Sequence, residues 1–387
     1  MRNISPTYRH GKAHESAHPF KKTLSAMVSK VSVAGVLVFL VMLLVVDQRD
    51  ARTAAIHMIL PSSAGPTGAV KLFGEQLRDQ MRSCSTWGPF KGVMRVGSDE
   101  FSVDLQRVDG VRTVESMYSL YVMRSDGAGS GDIVSNNIAN NKEWESGEIS
   151  WLLDKLDAFA TDRSLPRSEV FVLDIGANIG TWSVAIAAAG YQVLAFEAMD
   201  VNQKALHYSF CSNAVGAVPH LKQNLVLFDT GLGKDTAECN IFSDPGNVLD
   251  GVVSCTQEDP PFSYLKWRQR LDIARLDDIC GHQMGQLAGK VGAVKMDTEG
   301  MEPWVLEGAQ KFFKKVKPKY LVTELNESAM KASTNYTSMD FINQILSLGY
   351  EMRMGSFDQP VWTREMIEAE FGEETNSHLL NIYMTHI

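Results

Sequence analysis

A chain of 387 residues, 44% hydrophobic and 21% charged, has room for one large globular domain or two modest ones with appendages. Its formal net charge of −9 withholds electrostatic support from nucleic-acid binding. Five widely spaced cysteines with no CxxC pair give no zinc-ligand rhythm, and Cys239 and Cys255 could either bridge in an oxidising compartment or stand as isolated thiols.

The charge is reversed at the N-terminus, where Arg2, Arg9, Lys12, Lys21, Lys22 and Lys30 face only Glu15. Residues 31–46, "VSVAGVLVFLVMLLVV", then carry no charge. A helix of that length rises about 24 Å, short of a ~30 Å hydrocarbon core, and the preceding "LSAMVS" with a snorkelling Lys30 extends it enough to span. A buried core helix would show a polar face, and this run has none. A cleaved signal peptide is the closer rival, opposed by the long charged lead and the lack of an A-x-A site. The expectation is a basic cytoplasmic tail over 1–26, a single-pass type II signal anchor over 27–47, and a lumenal remainder in the ER or Golgi. Asn326-Glu-Ser and Asn335-Tyr-Thr are glycosylation sequons compatible with that topology. Residues 48–85 read as a stem, with "PSSAGPTGA" as linker and "VKLFGEQLRDQMRS" as one helix.

The main domain is expected over 86–387, with its core from about 132. A helix in "EWESGEISWLLDKLDAFA" leads to a strand at 170–174, a helix at 181–189, a strand at 192–197 and a helix at 201–212. "NLVLFDT" is a third strand, followed by a loop-rich section containing "SDPGNVLDG". Then come strand "VGAVKMD", helix "EPWVLEGAQKFFKK", strand "KYLVTEL", helix "MDFINQILSLG" and strands "YEMRM" and "LLNIYMTH". Such alternation predicts an α/β fold, a mostly parallel sheet with helices on both faces. Ligands of these sheets sit beyond the carboxyl ends of the strands, where strand order reverses. The strand-end acids Asp174, Glu197, Asp297 and Glu324 would therefore converge on one rim.

"VFVLDIGANIGTWS" holds the first turn. A dinucleotide site asks for G-x-G-x-x-G, and here Asp174 takes the first glycine position, Gly176 the second and Ile179 the third. A carboxylate at that place repels a pyrophosphate and favours a cationic ligand. S-adenosylmethionine, with an ammonium, a sulfonium and no phosphate, meets that demand. Gly176 and Gly180 would let its methionine part lie against the turn beside Asn178. Glu197 stands where an acid commonly takes ribose hydroxyls, and Asn213 is placed either to reach the adenine or to cap its helix.

Together "VLDIGANIGTWSVAIAAAG", "VLAFEAMDVNQKALHYSFCSN", "RLDDIC", "VKMDTEGMEPWVLEGAQKFF" and "YLVTELN" resemble the FkbM-family methyltransferases. "DIVSNNIANNKEWESGE" is similar to that family's lead-in, which suggests Trp144, Glu145 and Glu148 as pocket walls. The resemblance implies the class I (Rossmann-like) methyltransferase sheet, S-adenosylmethionine as cofactor, and O-methylation of hydroxyls on sugars or complex natural products. Ala198 departs from the proline that usually follows the acid at Glu197.

In "KMDTEGMEPW", Asp297 and Glu299 precede a helix and match the family's D-x-E-G pattern, while Glu302 and Pro303 suit its first turn. Glu299 is the candidate base for the acceptor hydroxyl and Asp297 the group that holds cofactor or acceptor. A divalent metal on these oxygens is ranked below that reading, and no metal ligand is assigned. The alternatives are a nicotinamide-dependent oxidoreductase, disfavoured by Asp174 and Ile179, and a non-catalytic membrane-anchored binding protein.

Overall fold

The computed structural model describes residues 68–86, 93–95, 102–124, 132–256, 258–372 and 379–387. The expected tail, anchor and most of the stem lie outside the described residues, among which no helix is long and apolar enough to cross a membrane.

Seven strands make the large sheet: β1 (Phe171–Ile175), β2 (Gln192–Phe196), β3 (Leu225–Phe228), β4 (Val291–Met296), β5 (Tyr320–Asn326), β6 (Tyr350–Met354) and β7 (Leu379–His386). Their order across the sheet is β3-β2-β1-β4-β5-β7-β6, all parallel except β7, which runs antiparallel to both neighbours. Every residue of β1, β2 and β4 is buried, as strands covered on both faces require. Alternate side chains divide between two cores. Phe171, Leu173 and Ile175 meet the helices Gln310–Val316 and Ser338–Ser347, while Val172, Val193 and Ala195 meet Thr181–Ala188 and Asp200–Val215. The chain runs outward from β1 to β3 and returns to β4 on the other side of β1. Connections therefore part at the carboxyl ends of β1 and β4, which opens a crevice there.

The stem boundary needs correction, because Pro66–Ile387 form one unit. Helix Gly68–Thr86 buries Phe73 and Leu77 against the large sheet. Its Gln80 amide acts as a short extra strand on the edge of β3, donating to the Leu225 carbonyl and accepting from Leu227 N–H, each at 3.0 Å. A Cys84–Cys211 disulfide ties the same helix to Asp200–Val215.

The section expected to be loops is a four-stranded sheet of Gly231–Leu232, Ala237–Asp244, Asn247–Ser254 and Lys266–Ala274. "SDPGN" is its hairpin turn, and Cys239 and Cys255 do bridge, across the base of that hairpin. A three-stranded antiparallel sheet over 93–123 was likewise not expected. The helix expected over 302–315 breaks at Ala309. Asp277 causes the break: its carboxylate accepts from Lys311 and Phe312 N–H at 3.0 and 2.8 Å, capping a new helix start.

Candidate active site

The turn after β1 is clamped from both sides. Gly176 and Ala177 N–H both donate to the Phe196 carbonyl of β2 at 2.9 Å, and the Lys295 ammonium of β4 donates to the Gly176 carbonyl at 2.8 Å. Gly176 has φ +78°, and a Cβ there would lie 1.8 Å from the Asp297 carbonyl oxygen. Its missing side chain thus admits the end of β4. Gly180, at φ +94°, makes room instead for Leu206, whose Cδ1 would be 2.2 Å from an added Cβ.

Glu197, at the end of β2, closes the turn. Its two oxygens accept from Asn178 and Met199 N–H at 2.7 and 2.8 Å, and the Asn202 side chain hydrogen-bonds to it as well. Asn178 and Asn202 both donate side-chain amides to the Leu249 carbonyl, at 3.4 and 2.9 Å, so the disulfide-bridged hairpin is pinned over the crevice. The turn, the hairpin and the end of β4 enclose a cavity with an open mouth. Its lining includes the apolar Leu232, Ile241 and Ile273 and the acids Asp250, Asp297 and Glu299. Counting Glu197, four carboxylates line the cavity, and none of the described residues that line it is basic.

Asp297, Glu299 and Glu324 each bring one oxygen within 4.8 Å of the others, close enough to hold a divalent cation. Glu299 sits at φ +51°, hydrogen-bonds to Asp250 and accepts from Asn326 Nδ2 at 3.4 Å. Burial, then the neighbouring Asp250, Glu324 and Asp297, pushes its carboxyl well above the usual range. Burial followed by Asp297 pushes Glu324 up to about 9. Glu302 turns back to accept from Thr298 N–H, Thr298 Oγ1 and Gly300 N–H at 2.6, 3.0 and 2.9 Å, shaping the D-x-E-G turn; burial pushes it up to about 7. Beside this cluster lies a second, smaller hollow lined by Glu145, Trp182, Lys295, Glu324 and Asn381. Asp297 lines both spaces.

Of the expected site residues, Gly176, Asn178, Glu197, Asp297 and Glu299 line the cavity. Asp174 and Asn213 need correction. Asp174 is fully buried one layer behind the turn, bonded to Ser183 Oγ at 2.6 Å and 3.7 Å from Lys295 Nζ. It shares the inward face of Val172, a signal that strand alternation already carried. Asn213 is buried and reads neither adenine nor its loop: it exchanges hydrogen bonds with the backbone of Ser119, at 2.6 and 2.9 Å. Gly180 does not line the cavity either. Glu145 meets Trp182 Nε1 beside the second hollow, whereas Asn202, Asp250, Lys295 and Asn381 were not anticipated.

A family model described as the methyltransferase FkbM domain matches residues 174–352, from the first turn to the strand Tyr350–Met354. This chain carries an FkbM methyltransferase domain. Counted within the large sheet, the order 3-2-1-4-5-7-6 with an antiparallel seventh strand is that of the class I fold. Among solved structures, a TehB-like SAM-dependent methyltransferase from Corynebacterium glutamicum is 12% identical, covering 65% of this chain and 94% of that one at a TM-score of 0.31. Magnesium protoporphyrin IX methyltransferase from Synechocystis, with bound SAM, is 11% identical over 67% and 88%, at 0.31. A SAM-dependent methyltransferase from Agrobacterium tumefaciens is 8% identical over 74% and 71%, at 0.36. No curated protein matches the chain.

The FkbM domain takes S-adenosylmethionine as cofactor, and the donor set fits it. Bound there, the cofactor would find a carboxylate for its ribose hydroxyls at Glu197 and acids for its cationic part at Asp250 and Asp297. A pyrophosphate would meet the same carboxylates with no basic side chain among the described lining residues opposing them. The raised acids also set a pH dependence. The folded domain binds these protons more tightly than the unfolded chain, so their contribution to stability is full below the ordinary value of 4.5. It is lost as pH climbs through about 7 for Glu302 and about 9 for Glu324. A cation in the cavity favours the ionised cluster. Thermal melts of the FkbM domain should therefore show S-adenosylmethionine raising Tm more at about pH 9 than at about pH 6. An equal rise at both would separate the cluster from the cofactor.

Proposed function

We propose that the domain transfers a methyl group from S-adenosylmethionine to a hydroxyl oxygen of a glycan, glycolipid or related polyhydroxylated metabolite. The observation that carries this reading is Asp297, which lines both the cofactor cavity and the second hollow, with Glu299 and Glu324 beside it. An acceptor in that hollow meets Glu145, Glu324 and Asn381, and the ammonium of Lys295 is already paired with Asp297 at 3.2 Å. Such a lining favours a neutral, donor-rich acceptor and repels phosphates and carboxylates.

The cofactor supplies an electrophilic methyl on its sulfonium. Glu197, Asn178 and the clamped turn hold the donor, and Asp297 aligns the acceptor oxygen for in-line attack. Glu299 takes the hydroxyl proton. Burial and the surrounding acids push the Glu299 carboxyl well above its usual range, which makes its ionised form the stronger base, while Asp297 is paired with Lys295 at 3.2 Å. Incubating the protein with methyl-labelled S-adenosylmethionine and fractionated glycans, glycolipids, proteins and small molecules should put label in the glycan-bearing fractions. Label confined to protein would overturn the acceptor class.

The same reading places the catalytic domain in the lumen of the ER or Golgi behind an anchor at 27–47. The uncharged run with its basic flank supports this, as do two disulfides among the described residues. Of the two sequons, Asn335 is exposed, while Asn326 is engaged at the site through Glu299 and Ala329. Sealed microsomes should protect the domain from protease, with a glycan on Asn335 alone. Digestion without detergent would sink the lumenal placement.

A further inference from the structure

Lys295 is a buried lysine in the middle of an apolar parallel sheet, near the carboxyl end of β4. Burial alone would strip its charge; Asp297, Asp174 and Glu145 outweigh that and hold the ammonium above its ordinary value. Three donors radiate from Nζ. One reaches the Gly176 carbonyl at 2.8 Å, one Asp297 Oδ2 at 3.2 Å, and Asp174 Oδ1 stands farther off at 3.7 Å. The unequal distances matter. Were Lys295 only the counter-ion of buried Asp174, that contact would be the shortest; instead Asp174 Oδ1 has no hydrogen-bond partner.

We propose that Lys295 is a positioning residue for the cofactor site, locking the Gly176 carbonyl and the Asp297 carboxylate into one arrangement. The turn hangs from β2 through the Phe196 carbonyl and from β4 through this ammonium. Without the ammonium, the Gly176 carbonyl loses its β4 partner and Asp297 loses the charge that fixes its rotamer. Gly176 and Asp297 both line the cofactor cavity, so the loss reaches S-adenosylmethionine affinity and is not confined to the fold.

The inference rests on S-adenosylmethionine occupying that cavity, and the test reads binding and stability separately. Lys295→Met leaves Asp174 buried without a cation and should lower Tm. The double variant Asp174→Asn with Lys295→Met removes both charges and should recover most of that Tm. Calorimetric titration of S-adenosylmethionine should show Kd weakened about tenfold or more in both variants, the loss expected from a charge-assisted hydrogen bond. Wild-type affinity in the double variant would overturn the proposal, reducing Lys295 to a neutraliser of Asp174. Failure of both variants to fold would overturn it too, making Lys295 a folding residue. A wild-type protein that does not bind S-adenosylmethionine would fault the cofactor reading itself.

Discussion

Glu299→Gln is expected to leave the domain folded and able to bind S-adenosylmethionine while slowing methyl transfer roughly 10²–10⁴-fold. In the ligand-free site Glu299 is pressed by burial and by three other acids toward its protonated form, and it shares a hydrogen bond with Asp250. Glutamine mimics that protonated carboxyl in size and charge. The turn, the hairpin and Asp297 should therefore stay in place, and Kd should change by no more than about threefold. What glutamine cannot do is accept a proton from the acceptor hydroxyl. Single-turnover transfer of labelled methyl, measured beside calorimetric Kd values, separates the two. Full activity would remove Glu299 as the base and shift attention to Asp297, whose place between the two spaces it would then explain. A large loss of affinity would mean that Glu299 holds the donor instead.

The large sheet was legible because its strands are buried on both faces and read as nearly continuous apolar runs, "FVLDI", "QVLAF" and "VGAVKM", each with one polar residue. "YEMRM" and "LLNIYMTH" matched the observed strands residue for residue. The hairpin sheet escaped because "AECNIFSD" mixes buried and half-buried positions and "NVLDG" reads as a turn. Its role as cavity wall depends on Asn178 and Asn202 reaching Leu249 from 71 and 47 residues away. At the site, Glu197, Asp297 and Glu324 were legible as acids at strand ends, and Glu299 from the D-x-E-G pattern. The preference for a cation over a phosphate also held, though the charge responsible is different. Asp174 is held within the fold by Ser183 and lies 3.7 Å from Lys295, and Asp250, from the unrecognised hairpin, joins Asp297 and Glu299 to set the sign of the cavity. Asn213 misled for the same reason: its partner, Ser119, is 94 residues distant and leaves no local trace.

Gly176→Ala should be among the most damaging single-methyl additions in the domain. Two costs add. An alanine at φ +78° carries the left-handed penalty, about 1–2 kcal/mol, and its Cβ would need the space now held by the Asp297 carbonyl 1.8 Å away. That oxygen is backbone at the end of β4, so no side-chain rotation relieves the overlap, and the strand ends must part at a further cost of about 1–3 kcal/mol. Gly110 supplies the control: at φ +74° nothing lies within 4 Å of an added Cβ, so Gly110→Ala should show the conformational penalty alone. At about 2–4 °C per kcal/mol for a domain of this size, Gly176→Ala should lower Tm by about 4–20 °C, beyond Gly110→Ala. Parting β1 from β4 also moves the Gly176 carbonyl off Lys295 and Asp297 off the junction of the two spaces. Cofactor binding should therefore fall in Gly176→Ala and stay intact in Gly110→Ala. Equal Tm values for the two variants would mean that the turn yields where the geometry says it cannot, and the close approach of the two strands would lose its place in the account of the site.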